Sequence, residues 1–275
     1  MLRRSVPMYR DDISGKKYII CSLIILFACV ILNAQEITQL TDIPTAGILQ
    51  KGEVGFPISI SKNEGVSFGA GVGIIPKLMF GIQYGGEYIL GDSIPDWHSY
   101  PGVFVKYRIF DESPKMPAIA IGFDSRGYGS FIKTVIDSTD NDSTEVNRYE
   151  IKSKGFYVVA SRNFNFLGNL GIHFGVNYST ERDDNDEDLN FFVGIDKSIN
   201  PQISLLTGYD FAFNDNGKSG NDETYSFGEG NGYLNAALQL KCSEHIIIKI
   251  HFRDLLNNQY KNPDRAITIQ YSTNL

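Results

Sequence analysis

The sequence predicts an all-β protein: an antiparallel up-and-down transmembrane β-barrel of about twelve strands, following a cleaved signal peptide. Three observations lead to this prediction. Apolar and polar residues alternate with period two in many short segments, the connections between these segments alternate between short and long, and the chain opens with a basic stretch followed by an apolar run.

The first 34 residues have the organisation of an export signal. Five basic residues precede the apolar run 18–32, which is shorter than the roughly 20 residues that a membrane-spanning helix needs. Ala34 is a small residue suited to cleavage, which divides the chain into a signal peptide over 1–34 and a barrel over 35–275. Cys29 follows Leu-Phe-Ala, similar to a lipobox, so lipidation at Cys29 is the alternative.

Composition excludes several classes of protein. The chain is 42% apolar and contains 18 Phe and 15 Tyr, which is inconsistent with disorder. Beyond residue 34 it carries 20 basic and 30 acidic residues, so no basic field exists to hold nucleic acid. Cys242 is the single cysteine after the export segment, which excludes an internal disulfide and a cysteine-based metal site.

Twelve segments show the alternation of a strand with one apolar face. In the eleventh, Ile248 and Ile250 alternate with Lys249, His251 and Arg253. The sixth is ambiguous, because both of its faces carry apolar residues. The predicted strands are 54–61, 66–74, 78–85, 103–109, 118–124, 156–161, 170–179, 190–196, 203–214, 233–241, 245–253 and 266–272.

The lengths of the connections carry a second signal. Outer-membrane barrels join their strands by short periplasmic turns and longer external loops. From the second strand onward, short connections (75–77, 112–116, 163–168, 197–200 and 242–243) alternate with long ones (91–100, 125–154, 180–188, 215–231 and 254–264). With twelve strands, both termini of the barrel fall on the periplasmic side. The first connection, 62–65, should be external yet is short.

The two faces of the strands predict what the barrel wall contacts. In a membrane barrel the apolar face meets lipid and the polar face lines the lumen. The lumen-lining candidates are Lys106, Arg108, Asp124, His173, Asp196, Asp210, Lys249, His251 and Arg253. Their charges can pair across the interior and close the pore, or form patches that polarise a channel. A soluble or lipid-anchored β-sandwich of the envelope, with the apolar faces buried in a core, is the alternative fold.

Several stretches resemble the YjbH-like family of Gram-negative outer-membrane β-barrel proteins. They are Tyr-Pro-Gly-Val-Phe-Val-Lys-Tyr-Arg at 100–108, Pro-Ala-Ile-Ala-Ile-Gly-Phe-Asp at 117–124, Gly-Phe-Tyr-Val-Val-Ala-Ser at 155–161, Gly-Val-Asn-Tyr-Ser at 175–179 and Gly-Tyr-Leu-Asn at 232–235. The resemblance covers roughly residues 50–275 and implies an outer-membrane location and a link to exopolysaccharide production. Its motifs are strand and turn patterns, so it assigns no site residues.

We therefore expect a non-enzymatic outer-membrane protein, either an accessory to exopolysaccharide production and export or a narrow channel. Expected partners are outer-membrane lipid and lipopolysaccharide, the barrel assembly machinery and, from the resemblance, polysaccharide-export components. An envelope protein that binds an apolar ligand is the alternative function. A membrane-embedded hydrolase would need a Ser–His pair reachable from lipid, yet His173, His245 and His251 all have the polar parity.

Two further motifs receive structural interpretations, and neither implies a cofactor or a metal. The glycines of 69–73 lack the third element of a dinucleotide loop and are expected to be small residues on a crowded lumen face. The acidic run 181–188 offers oxygen ligands for a hard cation but lacks the pattern of an EF-hand loop. A solvated surface loop is the simpler interpretation of that run.

Overall fold

The computed structural model describes residues 36–136, 143–216 and 227–275. The export signal and its cleavage site therefore lie outside the described residues. The strands are β1 (Glu53–Ser61), β2 (Gly65–Ile75), β3 (Leu78–Glu87), β4 (Asp96–Trp97), β5 (Gly102–Phe110), β6 (Ala118–Asp124), β7 (Tyr128–Ile136), β8 (Ser143–Ile151), β9 (Gly155–Asn165), β10 (Asn169–Tyr178), β11 (Asn190–Ser198), β12 (Ile203–Asp210), β13 (Tyr233–Lys241), β14 (Ile246–Arg253) and β15 (Asp264–Asn274).

Within these residues, twelve of the strands form one closed antiparallel barrel. Each strand pairs with its neighbour along the chain, in the order β1, β2, β3, β5, β6, β9, β10, β11, β12, β13, β14 and β15. The first and last strands close the ring, from Glu53 opposite Asn274 to Ile60 opposite Ile267. All twelve predicted strands match these twelve, so the predicted up-and-down barrel is confirmed. The β-sandwich alternative is wrong, because one closed sheet replaces two packed sheets.

The outward face of the wall is apolar and exposed. Phe68 on β2 is 54% exposed, Phe174 on β10 is 52% exposed, and Ile269 on β15 is 48% exposed. The residues between them point inward and are mostly small or polar, as the alternation predicts. A soluble protein rarely exposes a continuous apolar surface of this kind.

The long and short connections lie at opposite ends of the barrel. The short first connection, the 3₁₀ turn η1 (Lys62–Glu64), belongs to the long-connection end: the backbone N–H of Lys62 donates to Asp264 Oδ1 at 3.2 Å, and that of Ile89 donates to Glu64 O at 3.1 Å. The first connection therefore lies at the end of the barrel that the predicted alternation assigns to it, although it is short. Both barrel termini lie at the short-turn end, where Leu275 N donates to Gly52 O.

Three segments differ from the prediction. The expected loop 125–154 contains the hairpin β7–β8, and β4 pairs with the end of β3. The connection after β12 begins early: β12 ends at Asp210 instead of continuing to 214, because Asp210 Oδ1 accepts the N–H of Ala212 and turns the chain. No helix in the described part of the chain is long and apolar enough to cross a membrane.

Candidate functional site

Residues 36–52, which we call the inner segment, fold back into the barrel ahead of β1. The chain reverses at 40–43, where Leu40 N donates to Ile43 O at 3.1 Å and Thr45 N donates to Thr38 O at 3.3 Å. Both ends of the segment lie at the short-turn end of the barrel, since Glu36 pairs with Arg108 and Gly52 N donates to Gly73 O. The segment therefore enters the interior, turns and leaves at the same end.

One wall of the barrel is shaped to receive the inner segment. Leu40 and Ile43 are buried in a cluster with Val159, Phe192 and Leu206 from that wall. Gly194 and Gly208 leave room for them: a Cβ atom at Gly208 would lie 2.9 Å from Ile43 Cδ1, closer than real contacts allow. Glycine at these inward positions is thus explained by packing.

The glycine motif of 69–73 has this origin in part. A Cβ atom at Gly71 would meet Leu49 Cδ1 at 3.4 Å, and one at Gly73 would overlap the carbonyl oxygen of Gln50. Gly73 therefore makes space for the returning half of the inner segment, whereas a Cβ atom at Gly71 would first meet the Phe104 ring of the wall, at 3.2 Å. The expectation of small residues on a crowded lumen face agrees with this placement.

Three of the predicted lumen residues hold the inner segment through its backbone carbonyls. Lys106 Nζ donates to Thr38 O at 2.6 Å and to Gly47 O at 3.0 Å. Lys249 Nζ, on the far side of the barrel, donates to Gln39 O at 3.0 Å. Arg108 Nε donates to Ala46 O at 2.9 Å. Buried backbone carbonyls need hydrogen-bond donors, and these cations supply them; Thr38 O also accepts from Thr45 N.

A second anchor is a buried chain of four groups. Ala46 N donates to Ser161 Oγ at 2.8 Å, Ser161 Oγ lies 2.7 Å from His173 Nδ1, and His173 Nε2 lies 2.8 Å from Asp196 Oδ1. A neutral imidazole protonated at Nε2 satisfies every bond, because Nδ1 then accepts from the serine hydroxyl. Ser161 was missed from the sequence because it ends the strand whose two faces are both apolar.

These residue types are those of a catalytic triad, but their setting is structural. In a triad the serine oxygen faces the substrate and the histidine takes its proton. Here Ser161 is buried and its oxygen is covered by the backbone of Ala46. The group holds the inner segment in place and offers no open path to the serine.

The tip of the inner segment meets a further charged group. Asp42 Oδ2 lies 3.7 Å from Lys154 Nζ, which also pairs with Asp210, and Asn190 Nδ2 donates to Asp210 Oδ1 at 2.6 Å. Burial raises the pKa of Asp42, an effect that the nearby Lys154 opposes and the Asp210 carboxylate reinforces. Burial alone would lower the pKa of Lys154, but the attraction of Asp210 and Asp42 raises it.

The remaining predicted lumen residues pair with near neighbours. Asp124 Oδ2 lies 2.6 Å from Arg126 Nη2, and Arg253 Nη1 lies 3.2 Å from Asp264 Oδ2. His251 Nε2 lies 3.1 Å from Thr268 Oγ1. Among the nine candidates, and within the described residues, only His173 and Asp196 pair with each other. The nine candidates therefore do not close the pore by pairing with one another across it. Most of them pair instead with near neighbours or with the inner segment.

A cavity of about 170 Å³ remains between the inner segment and the opposite wall. It extends from the long-connection end, at Glu87 and Asp264, down to Gly55 and Gly71. Gln39, Thr41, Lys106, Lys249, His251 and Arg253 are among its lining residues. The interior is thus occupied on one side and open on the other.

The long connections form a packed cap above the barrel. Arg148 on β8 is fully buried and pairs with Asp184 at 2.6 Å and with Asp215 at 2.9 Å. Lys152 also reaches Asp184, at 2.8 Å, and Tyr233 OH donates to Asp215 Oδ2. Asp184 of the acidic run 181–188 therefore pairs with the protein's own cations, whereas most of the run is exposed, so the interpretation of a solvated surface loop holds for part of the run.

Comparisons with known proteins find only solved structures of low identity. No protein family and no curated protein matches the sequence. Among solved structures, the KdgM porin has a TM-score of 0.47 and 9% identity, covering 80% of this chain and 99% of that chain. The outer membrane protein Omp33 of Acinetobacter baumannii has a TM-score of 0.40 and 10% identity, covering 81% and 97%. The NanC porin has a TM-score of 0.39 and 10% identity, covering 81% and 99%.

Proposed function

We propose that this protein is an outer-membrane barrel that passes small polar solutes through a lumen narrowed by residues 36–52. The observation that carries the proposal is the arrangement of the interior: a polar-walled barrel, an inner segment held by hydrogen bonds, and a cavity of about 170 Å³ beside it. A barrel with a role in membrane anchoring alone has no need of a polar cavity that extends along its wall.

The outer surface supports the membrane location. Exposed Ile, Phe and Val side chains cover the wall, and their transfer from water to lipid is favourable at about 25 cal/mol per Å². Tyr84 and Trp97 stack with ring centroids 5.7 Å apart near the long-connection end, and Tyr271 is exposed near the other end. Aromatic side chains at both borders of an apolar band are typical of membrane interfaces.

The residues that line the interior favour passage of a solute over catalysis. The single Ser–His–Asp group of the described residues is covered by the inner segment, and the wall around the cavity carries amides, hydroxyls and charges. We therefore propose a non-enzymatic role. Asymmetric loops and both barrel termini at the short-turn end fit an orientation with the long connections outside the cell.

Conductance across planar bilayers tests this proposal. The full mature chain is expected to show small, infrequently open channels, and a variant lacking residues 36–50 is expected to conduct several-fold more. Folding of both is checked by heat-modifiable gel mobility. The matched control is the Ile43→Cys/Gly208→Cys pair in a Cys242→Ser background, which should lower conductance when oxidised and restore it when reduced. Equal conductance of all three proteins would contradict the proposal.

A role in exopolysaccharide production is a second proposal, supported by the YjbH-like stretches at 100–124 and 155–179. With the inner segment in place, the cavity is too small for a polysaccharide chain, so an accessory role is favoured over a conduit for polymer. Deletion of the gene should reduce the secreted polysaccharide, and the full chain should restore it. An unchanged amount would remove this proposal and leave the channel proposal intact.

A further inference from the structure

The outward face of the described barrel strands carries three charged residues, and all three are basic. They are Arg162 on β9, Lys197 on β11 and Arg265 on β15. Arg265 lies at the long-connection end. Near the short-turn end, Arg162 stands opposite Ile172 of β10 and Lys197 opposite Leu170 of the same strand. Because adjacent strands are about 4.8 Å apart, the backbones of β9 and β11 are about 10 Å apart. Two cations thus share one small sector of a mostly apolar wall.

Lys197 satisfies the backbone of the turn that joins β9 to β10. Its Nζ atom donates to the carbonyl oxygen of Phe166 at 2.8 Å and to that of Leu167 at 2.7 Å. These two apolar side chains are 62% and 86% exposed, and Leu167 has a φ of 48°, a left-handed conformation that leucine rarely adopts. Carbonyls in water need no such donor, whereas in lipid every backbone polar group must be satisfied within the protein. The turn is therefore suited to present Phe166 and Leu167 to lipid.

Arg162 lies on the other side of this turn and keeps donors available to an outside group. Its Nη2 donates to Pro114 O at 2.8 Å, and its Cζ atom lies 5.6 Å from the centre of the Phe164 ring. A guanidinium group has five N–H donors, so one carbonyl uses only a small part of them. Since Arg162 is half-buried on the outward face, the other donors can reach a group beside the wall. Their planar fork matches the geometry of a phosphate.

The acidic side chains of this end of the barrel do not neutralise the two cations. None of the ion pairs within the described residues includes either of them. Asp111 pairs with Lys77 at 2.6 Å, and Asp196 points inward to the histidine of the buried chain of four groups. Glu112 accepts from the backbone N–H of Asn163 at 2.8 Å and from its Nδ2 at 2.7 Å. The counter-ion of this sector must therefore come from outside the protein.

We propose that this sector binds the headgroup of an anionic phospholipid in the leaflet at the short-turn end. The phosphate meets the guanidinium group of Arg162 and lies in the positive field of Lys197, because basic clusters at a membrane border attract anionic lipids. The acyl chains lie beside Phe164 and Leu167. The inference goes beyond the proposed channel and rests only on its membrane location. It assigns a preferred lipid to one sector of the wall.

Quenching of a fluorophore by labelled lipids tests the site. The full mature chain with Leu167→Cys in a Cys242→Ser background is labelled at residue 167 and refolded into phosphatidylcholine vesicles. A small fraction of the lipid carries a quencher on its acyl chain and has either a phosphatidylglycerol or a phosphatidylcholine headgroup. At equal mole fraction, we expect the phosphatidylglycerol form to quench at least threefold more strongly. A fluorophore on Ile94→Cys, which is 90% exposed in a long connection, should show no such preference.

Substitutions of the arginine assign the preference to the proposed site. Arg162→Gln should abolish the preference for phosphatidylglycerol, and Arg162→Lys, which keeps the charge, should retain most of it. Arg265→Gln removes an outward-facing arginine at the opposite end of the wall, so it is the matched control and should keep the full preference. Heat-modifiable gel mobility checks that every variant is folded.

Equal quenching by the two lipids in the parent, or the same preference in the Arg162→Gln and Arg265→Gln proteins, would overturn the inference. So would a lack of quenching at residue 167 while a fluorophore on Ile248→Cys is quenched, because the turn then lies outside the lipid and the barrel remains within it. If neither position is quenched, the membrane location is wrong, and the channel proposal fails together with this one.

Discussion

The backbone N–H of Ala46 donates a hydrogen bond of 2.8 Å to the side-chain oxygen of Ser161, a residue 115 positions away in the chain. Behind Ser161 stand His173 and Asp196, so one peptide group of the inner segment is tied to a buried carboxylate through two side chains. A hydroxyl and an imidazole thereby act as positioning groups for a segment of backbone.

Ser161→Ala should loosen the inner segment without unfolding the barrel. The change leaves Ala46 N and His173 Nδ1 unpaired in a buried place, at a cost of about 1–3 kcal/mol. The measurement is thiol labelling of Ile48→Cys in a Cys242→Ser background, whose rate should rise tenfold or more. Ser59→Ala, which removes a hydrogen bond between two barrel strands, is the control. Identical rates in the two variants would show that Ser161 does not hold the segment.

Gly208→Leu should displace the inner segment by steric clash. A Cβ atom alone would lie 2.9 Å from Ile43 Cδ1, and overpacking of this kind costs about 1–3 kcal/mol. We expect larger and more frequent openings in planar bilayers. Adding Ile43→Ala makes room for the new side chain and should restore the parental behaviour, since contacting residues are energetically coupled. If the effects of the two substitutions on channel opening simply add, the contact between residues 43 and 208 is contradicted.

The two faces of β14 should respond differently to lipid. Ile248 belongs to the outward face, whereas Lys249 reaches Gln39 in the interior. A fluorophore on Ile248→Cys should be quenched by a lipid-borne quencher, and one on Lys249→Cys should be shielded, both in a Cys242→Ser background. Ile248→Arg should impair refolding into bilayers, because arginine facing mid-membrane lipid costs about 2–4 kcal/mol. If neither site senses lipid, the membrane barrel is excluded.

Protonation of Asp42 should favour the closed lumen. Burial raises its pKa above the usual value, so the folded, docked form binds a proton more readily than the released form does. The contribution of this group to docking is fully present below the ordinary pKa near 3.8 and is lost as pH rises through the raised value. The open probability should therefore rise with pH in the parent. In Asp42→Asn that rise should be reduced, and an unchanged pH profile would exclude Asp42 as its source.

Arg148→Met should open the external cap while sparing the barrel. Breaking a buried ion pair leaves unpaired charge and costs about 3–5 kcal/mol. On intact cells, external protease should then cleave within 143–151 or 180–188 more readily, and the turns near Pro76 and Cys242 should stay uncut. Arg182→Met, which removes an exposed pair with Glu187, is the control and should leave cleavage unchanged. If the protease cleaves the short turns on intact cells, those turns face the exterior and the proposed orientation is wrong.

The sequence by itself determined the barrel wall. Strand alternation is a local property: each inward or outward position is set by parity, and short turns fix which neighbours pair. For this reason the twelve predicted strands, their two faces and the alternation of connection lengths all match the structure. Errors occur where a side chain redirects the backbone, as at Asp210, or where a hairpin such as β7–β8 lacks clear alternation.

Only the tertiary structure decided what fills the lumen. The contacts that hold residues 36–52 join positions far apart in the chain, such as Lys249 with Gln39 at a separation of 210 residues. Contacts of this kind leave no period in the sequence. Leu40 and Ile43 are only two residues, too few to form a sequence pattern. Gly194 and Gly208, which pack against them, are explained only by the side chains of Leu40 and Ile43 that they contact. The barrel wall follows from local alternation of apolar and polar residues. The placement of residues 36–52 inside it depends on hydrogen bonds and packing between residues that are far apart in the chain.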